Sequence, residues 1–369
     1  MKFYVNRSEL SEAVARLSRA VAVKSSVPVL EGILFSAEEN KLTMAAYNYE
    51  IGMRKEIDIR CVESGDIVIG AKLLGDILRK MPNEDVYFEV DANSVCHISS
   101  GASHFDIVGI EAKDFPEIPT TGGGKEFKMP ASLLKSMLRQ TMFATNEEDN
   151  AMPMYRGVYF EIEPDYIKLV ALDGLRIAIR KETAKNENPM RFVVTGKSIS
   201  EVFRMIENEE EIITMFVGTN HMSFYINGYY LVSRLIEGNY LDYNSVIKQD
   251  YKTKVEVSTN DIIESIDRIS LIISNPKNTP IRCNIKDDEI LFSCATTMGR
   301  ANDTCPVLME GEQIEFGFNA KFMLEAMKAA ETDRVTVTLN GDISPITIRP
   351  TAGDDFIYIV MPMRIRSNG

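Results

Sequence analysis

The chain has 369 residues, with 41 Lys and Arg against 54 Asp and Glu, and a formal charge of −13. At roughly 100–200 residues per domain that length asks for two or three domains, and 45% hydrophobic with 26% charged residues is a soluble globular composition, which excludes disordered and fibrous classes. The longest uncharged apolar runs, such as residues 357–363, fall well short of the ~20 residues that cross a bilayer; the opening turn carries no apolar leader, so a cytoplasmic protein without a membrane partner is expected.

Along the chain a unit repeats six times: a short strand, a capping residue, a helix with one apolar face, then two or three alternating strands. The first unit predicts a strand at 2–5, Ser8 as N-cap, an apolar face of Leu10, Ala13, Val14, Leu17 and Val21, and strands at 32–37, 41–47 and 51–60. The second opens at 66–69, carries Leu73, Leu74, Ile77, Leu78 and Met81, closes at Pro82 and continues at 86–90, 94–99 and 104–108. In the third, a strand at 126–129 leads into Pro130, suited to a first helical turn, then Leu133, Leu134, Met137, Leu138 and Met142, and strands at 157–162, 166–172 and 176–182. The fourth has 191–195, a helix with Ile199, Val202, Phe203 and Ile206, and strands at 212–217, 221–226 and 229–235. The fifth runs from 254–257 through Asn260 as cap and Ile262, Ile263, Ile266 and Ile269 to strands at 281–285, 289–295 and 299–305. The sixth has 313–318, Asn319 as cap, Phe322, Met323, Leu324 and Met327, then 334–339, 346–349 and 356–361. One unit cannot bury its helix face alone, so consecutive units pair into three α+β domains, 1–121, 125–246 and 252–369, with helices packed between antiparallel sheets. The turn-rich stretches 120–124 and 244–251 fall at the two linkers.

Little in the chain points to catalysis. The cysteines Cys61, Cys96, Cys283, Cys294 and Cys305 are odd in number and at least eleven residues apart, which leaves neither a disulfide framework nor a CxxC metal pair. His97, His104 and His221 stand in no HExxH or Cys/His pattern, so no metal site, cofactor or His-based hydrolase is expected. Gly122-Gly123-Gly124-Lys125 lacks the earlier glycine and the following Ser or Thr of a phosphate loop. Asp173-Gly174 between two alternating strands is a hairpin turn that needs positive φ. The acidic runs 147–149 and 209–211 lack the alternating spacing of a calcium loop and read as solvated faces.

Charge is unevenly spread. The six helix segments hold 12 Lys and Arg against 8 Asp and Glu, net +4, while the remainder holds 29 against 46, net −17. Arg16, Arg19, Lys72, Arg79, Lys80, Lys135, Arg139, Lys197, Arg204, Lys321 and Lys328 all avoid the apolar stripes. Two readings stand: an ordinary solvated helix face, or a helix-built surface that tolerates a polyanion while the rest of the protein repels one. The fifth helix departs from the pattern, with Asp261, Glu264 and Asp267 against Arg268. The terminal stretch 356–364, rich in Ile, Val and Met, reads as a core strand or, because Pro362 removes a ladder donor and Met suits adaptable grooves, as a peptide-binding edge.

The sixfold unit occurs together with the opening Met1-Lys2-Phe3, Pro28-Val29-Leu30, Asp114-Phe115-Pro116, Asp173-Gly174-Leu175-Arg176-Ile177, Leu235-Ile236-Glu237-Gly238 with Asp242-Tyr243, and the closing Val360-Met361-Pro362-Met363-Arg364. In this order, on a chain of this length, these motifs resemble the beta sliding clamp family, the processivity factors of bacterial replicative DNA polymerase. The likeness covers the whole chain. It implies a head-to-tail homodimer whose six domains close a ring, with helices lining a hole through which duplex DNA slides without sequence readout, and no catalysed reaction. It also implies as partners the replicative DNA polymerase, an ATP-driven clamp loader and other proteins carrying the same binding motif.

The resemblance further implies site residues. A protein-binding groove maps to Tyr155, Leu172, Gly174, Leu175, Arg176 and Ile177, with Leu241, Val246, Ile343, Pro345, Ile359, Val360 and Met361. Contacts to DNA map to Lys24 and the loop residues Met152, Pro153 and Met154, joined by the helix-borne Arg79, Lys80, Lys135, Arg139, Lys197 and Arg204. The dimer interface maps to Phe105 and Ile107 on one edge and Ile272 and Ile273 on the other. Two other classes remain: a hydrolase using paired carboxylates in an interdomain cleft, and a repeat scaffold that binds only proteins.

Overall fold

The computed structural model of the chain describes residues 1–365 apart from 83, 147, 149 and 249, so Glu147 and Asp149 of the first acidic run lie outside the described residues. Six repeats are present. The first comprises β1 (Lys2–Asn6), α1 (Arg7–Leu17), β2 (Gly32–Glu38), β3 (Lys41–Tyr47), β4 (Ile51–Asp58) and a short β5 (Arg60–Glu63). The second comprises β6 (Gly65–Gly70), α2 (Ala71–Lys80), β7 (Asp85–Val90), β8 (Val95–Ser100) and β9 (Ser103–Val108). The third has β10 (Lys125–Pro130), α3 (Ala131–Arg139), β11 (Gly157–Ile162), β12 (Tyr166–Leu172) and β13 (Arg176–Thr183). The fourth has β14 (Met190–Thr195), α4 (Gly196–Met205), β15 (Ile212–Val217), β16 (His221–Ile226) and β17 (Tyr229–Arg234). The fifth has β18 (Thr253–Ser258), α5 (Thr259–Ser270), β19 (Ile281–Lys286), β20 (Glu289–Thr296) and a long β21 (Gly299–Gly311), and the sixth β22 (Ile314–Phe318), α6 (Ala320–Ala329), β23 (Arg334–Leu339), β24 (Ile346–Pro350) and β25 (Phe356–Val360).

Each strand runs straight into its helix, which moves two caps upstream of their expected places. Asn6, not Ser8, caps α1, its side chain accepting from the N–H groups of Ser8 at 3.0 Å and Glu9 at 3.2 Å. Ser258, not Asn260, caps α5, accepting from Asp261. Asn319 caps α6 as expected. Several neighbouring polar residues can serve as caps, and the end of strand pairing decides which one does. Pro130 is the last residue of β10 and not part of the helix. Leu73 is exposed while Leu74, Ile77 and Leu78 are buried, because one residue turns a helix by about 100° and the buried stripe passes Leu73 by.

The chain divides into two compact units, Met1–Ala131 with Arg204–Leu235, and Ser132–Phe203 with Ile236–Gly369. The first unit holds a five-stranded sheet, β5-β1-β7-β8-β9, and an eight-stranded one, β10-β15-β16-β17-β4-β3-β2-β6. The second holds a twelve-stranded sheet, β14-β11-β12-β13-β25-β24-β23-β18-β21-β20-β19-β22. The sheets therefore do not stop at the expected domain limits. β17 joins β4 with Tyr229 opposite Lys55, and β13 joins β25 with Arg176 opposite Val360, in each case linking distant repeats. Continuing a sheet across repeats removes edges that would otherwise stay unpaired. Cores form where helix stripes meet sheets: Leu10, Val14 and Leu17 of α1 and Leu74 and Leu78 of α2 are fully buried, and Phe88 stacks on Phe3 at 4.9 Å and on Phe35 at 5.9 Å. Four cysteines are buried, and burial pushes the Cys96 thiol up to about 12 and Cys305 to about 11, as expected of unreactive core thiols.

Candidate functional site

The expected groove residues all lie in the second unit, and Tyr155, Leu172, Gly174 to Ile177 and Ile359 to Met361 lie on or beside the β12–β13 hairpin. Gly174 takes φ +89°, and the Asp173 carboxylate accepts from the backbone N–H groups of Leu175 at 2.9 Å and Arg176 at 3.0 Å, so the turn is locally fixed. Arg176, expected at the groove, points inward. Its guanidinium is buried, pairs with Asp173 at 2.9 Å and with Glu325, and lies over the Phe322 ring at 4.5 Å. Leu175 is thereby held outward, 55% exposed, between two anchored neighbours. Tyr155 packs under the turn, where a Cβ on Gly174 would meet its ring at 3.4 Å.

The loop carrying Leu241 and Val246 is pinned in a similar way. Tyr240 stacks on Tyr159 at 4.4 Å and donates to the Val170 carbonyl, while Tyr243 is buried and donates to Glu161 at 3.1 Å. Glu161 also accepts from Tyr166 at 2.5 Å and from Lys168 at 3.2 Å. Burial alone would raise the Glu161 carboxyl, but the Tyr166 hydroxyl, the Lys168 charge and the Tyr243 hydroxyl outweigh it and hold the group below its ordinary value. Leu241, 39% exposed, is the apolar residue these anchors leave at the surface, beside the exposed polar Asp242, Asn244 and Ser245.

On the other side, β25 lies against β13, with Ile359 opposite Ile177, and Met361 donates its N–H to the Leu175 carbonyl at 2.8 Å. Ile346, which follows Pro345, pairs with Val360, and Ile343 just before it is 74% exposed. The expected set thus separates by depth. Leu175, Leu241 and Ile343 are exposed, Tyr155, Ile177, Val246, Pro345 and Met361 are half-buried, and Leu172, Ile359 and Val360 are inside. Of the two readings of the C-terminal stretch, the core strand is the one the fold shows for 356–360: β25 has β13 on one side and β24 on the other, so it is not a sheet edge, and all but Ile357 are buried, while Met361 just beyond it is half-buried. Sequence reasoning missed Glu161 and Tyr240 and quoted Tyr243 only within a motif, with no role; all three hold the loop from inside, and the cluster of tyrosines was the signal for them.

Among the expected DNA contacts, Lys24, Arg79, Lys80, Arg139, Lys197 and Arg204 are exposed and Lys135 is half-buried. Observed helix limits leave the +4 balance unchanged. Acids partly offset it, since Arg79 pairs with Asp76, Arg139 with Glu331, and Arg16 with Glu12 and Glu207. Met152 and Pro153 are exposed, but Met154 is not a surface residue: it is buried in the cluster with Leu172 and Tyr243.

Phe105 and Ile107 lie half-buried on β9, the end strand of its sheet, opposite the buried Ile98 and Cys96. Ile272 and Ile273 follow α5, half-buried, and the Ile272 carbonyl accepts from Thr296. The outer side of β9 and the outer side of β21 over 299–304, where β20 pairs with the other side only, carry no ladder partner among the described residues, as is also true of the end strands β5 and β10. Val108 and Leu271, both strongly exposed, were not singled out in the sequence; Val108 shares the outward phase of His104 and Asp106.

Six helix-and-sheet repeats joined through continuous sheets, with helices more basic than the rest of the chain, define the fold of a sliding clamp. Three family models match the chain: the N-terminal domain of the DNA polymerase III beta subunit over residues 1–119, the central domain over 128–242 and the C-terminal domain over 244–364. The chain belongs to the DNA polymerase III beta subunit family. It is 29% identical to the "Beta sliding clamp" of Synechococcus elongatus over the full length of both. The solved DNA polymerase sliding clamp of Bacillus subtilis is 27% identical with a TM-score of 0.94, covering 99% of this chain and 100% of that one. A sliding clamp of Bartonella birtlesii, solved bound to griselimycin, is 26% identical with a TM-score of 0.91 over the same shares.

Proposed function

We propose that two copies of this chain associate head to tail as a ring around duplex DNA and tether the replicative polymerase through the groove at Leu175, Leu241, Ile343 and Met361. The domains are 1–121, 125–246 and 252–369. The observation that carries the ring is the pair of unlike bare edges, β9 with Phe105 and Ile107, and 299–304 of β21 near Ile272 and Ile273. A heterologous contact of this kind closes at two copies or propagates as a fibre, and an exposed strand edge is costly unless paired. Lys24, the exposed helix-borne cations, Met152 and Pro153 face the duplex phosphates, without base readout.

Topology keeps such a ring on DNA, so the weak net charge of its helices suits sliding. The chain catalyses no reaction; opening belongs to an ATP-driven loader, and other proteins with the same motif share the groove. The protein works in the cytoplasm, and no helix among the described residues is long and apolar enough to cross a membrane. The hydrolase and protein-only scaffold alternatives gain no support from the family match.

The test is topological. The protein is loaded onto nicked circular DNA by a loader of the same family, and the circle is then linearised. The ring is expected to slide off the ends. Retention on linear DNA would overturn the proposal.

A further inference from the structure

The outer face of the five-stranded sheet carries a group that the clamp function does not use. β8 and β9 pair so that His97 stands opposite Asp106, and His104, two residues before Asp106, projects from the same face. His97 Nδ1 lies 2.6 Å from Asp106 Oδ1, and His104 Nε2 lies 3.1 Å from the same oxygen. The two rings are nearly parallel, with centroids 6.3 Å apart. Two imidazole nitrogens and a carboxylate oxygen therefore converge within 4.8 Å of one another. Metal–ligand distances of about 2.0–2.2 Å place tetrahedral donor atoms about 3.4 Å apart, a spacing bracketed by the present separations of 2.6 Å, 3.1 Å and at most 4.8 Å. The far ring nitrogen of His97 faces Asp91 Oδ2 at 3.8 Å. Asp91 is itself held by the N–H groups of Asn93 at 2.8 Å and Val95 at 2.9 Å. A carboxylate hydrogen-bonded behind a ligating histidine orients the ring and raises its basicity; Asp91, just beyond hydrogen-bond distance, acts on His97 through its charge.

We propose that His97, His104 and Asp106 bind a divalent transition-metal ion of the Zn²⁺, Co²⁺ or Ni²⁺ type, with water filling the open positions. Two nitrogen donors of three select such ions over Mg²⁺ and Ca²⁺, which prefer all-oxygen sites. The ion ties β9 to β8 at the strand whose other side is bare, so it stiffens that sheet end. His104 and Asp106 alternate on β9 with Phe105 and Ile107 of the proposed seam and so project from the opposite face; the metal site does not rest on the clamp reading.

The test uses full-length protein stripped with a chelator and titrated with Co²⁺. Expected are one Co²⁺ per chain with the visible bands of nitrogen ligation, displacement by Zn²⁺ but not by excess Mg²⁺, and a higher melting temperature with metal bound. His104→Asn and Asp106→Asn each weaken binding by at least about tenfold. Both positions are more than half exposed, so both variants fold. His221→Asn, on β16 of another sheet, leaves binding unchanged. Absence of one-to-one Co²⁺ binding by folded wild-type protein at about 0.1 mM, or His104→Asn binding as tightly as wild type, overturns the proposal, the group then being a hydrogen-bonded surface cluster or the ion lying elsewhere.

Discussion

The β12–β13 and β8–β9 hairpins have similar strands and opposite surroundings. β12–β13 lies inside its sheet, with β11 on one side and β25 on the other, and its turn is pinned by Asp173 and the buried Arg176. Its backbone is satisfied, so it meets a partner with side chains alone: Leu175 stands out from a rigid base. β8–β9 ends its sheet, and the outer N–H and C=O groups of β9 have no ladder partner among the described residues. A hairpin of this kind invites pairing with another strand. The interior hairpin thus offers a partner side chains alone, and the terminal hairpin offers an open ladder.

Breaking the rigid base should have the largest effect. Arg176→Met leaves the buried Asp173 carboxylate without its cation, and about 3–5 kcal/mol of stability should go, read by urea denaturation. A loss below about 1 kcal/mol would mean that the turn does not depend on the pair. Breaking the proposed seam comes next. Ile272→Asp sets a carboxylate in an apolar contact, at a cost of about 3 kcal/mol to association, and the protein should sediment as a monomer at micromolar concentration with an almost unchanged melt. A variant that stays dimeric there counts against the interface.

The groove is tested by a smaller change. Leu175→Ala should weaken binding of a short peptide with Gln followed by Leu and Phe anchors by about 1–2 kcal/mol, roughly tenfold, with the melting temperature unmoved because the side chain is exposed. A melting shift without loss of affinity would make Leu175 a packing residue. The smallest expected effect sharpens the contrast in rigidity. Glu161 has a folded value below its ordinary 4.5, so its contribution is present above 4.5 and is lost as pH falls through the lowered folded value. Glu161→Gln should flatten stability against pH in that acidic window, and an unchanged slope would remove Glu161 from the loop's anchoring.

The sixfold repeat, the strand and helix types and the apolar stripes could be read from sequence because they depend on local periodicity: two for strands, 3.6 for helices. The Asp173-Gly174 turn was equally legible, since the backbone there needs a positive φ that glycine supplies at little cost. What periodicity leaves open is the partner. Neither the pairing of β13 with β25 nor that of β17 with β4 is written near those strands, so expected domain limits did not foresee sheets that cross them. Arg176 looks like a surface residue in sequence and is buried because Asp173, Glu325 and Phe322 meet it from separate elements. His97 and Asp106, nine residues apart and in no motif, become neighbours only through the register of β8 on β9. Local sequence determined which segments form and which face each turns inward; tertiary structure decided depth, pairing and charge compensation, because those energies belong to contacts between residues far apart in the chain.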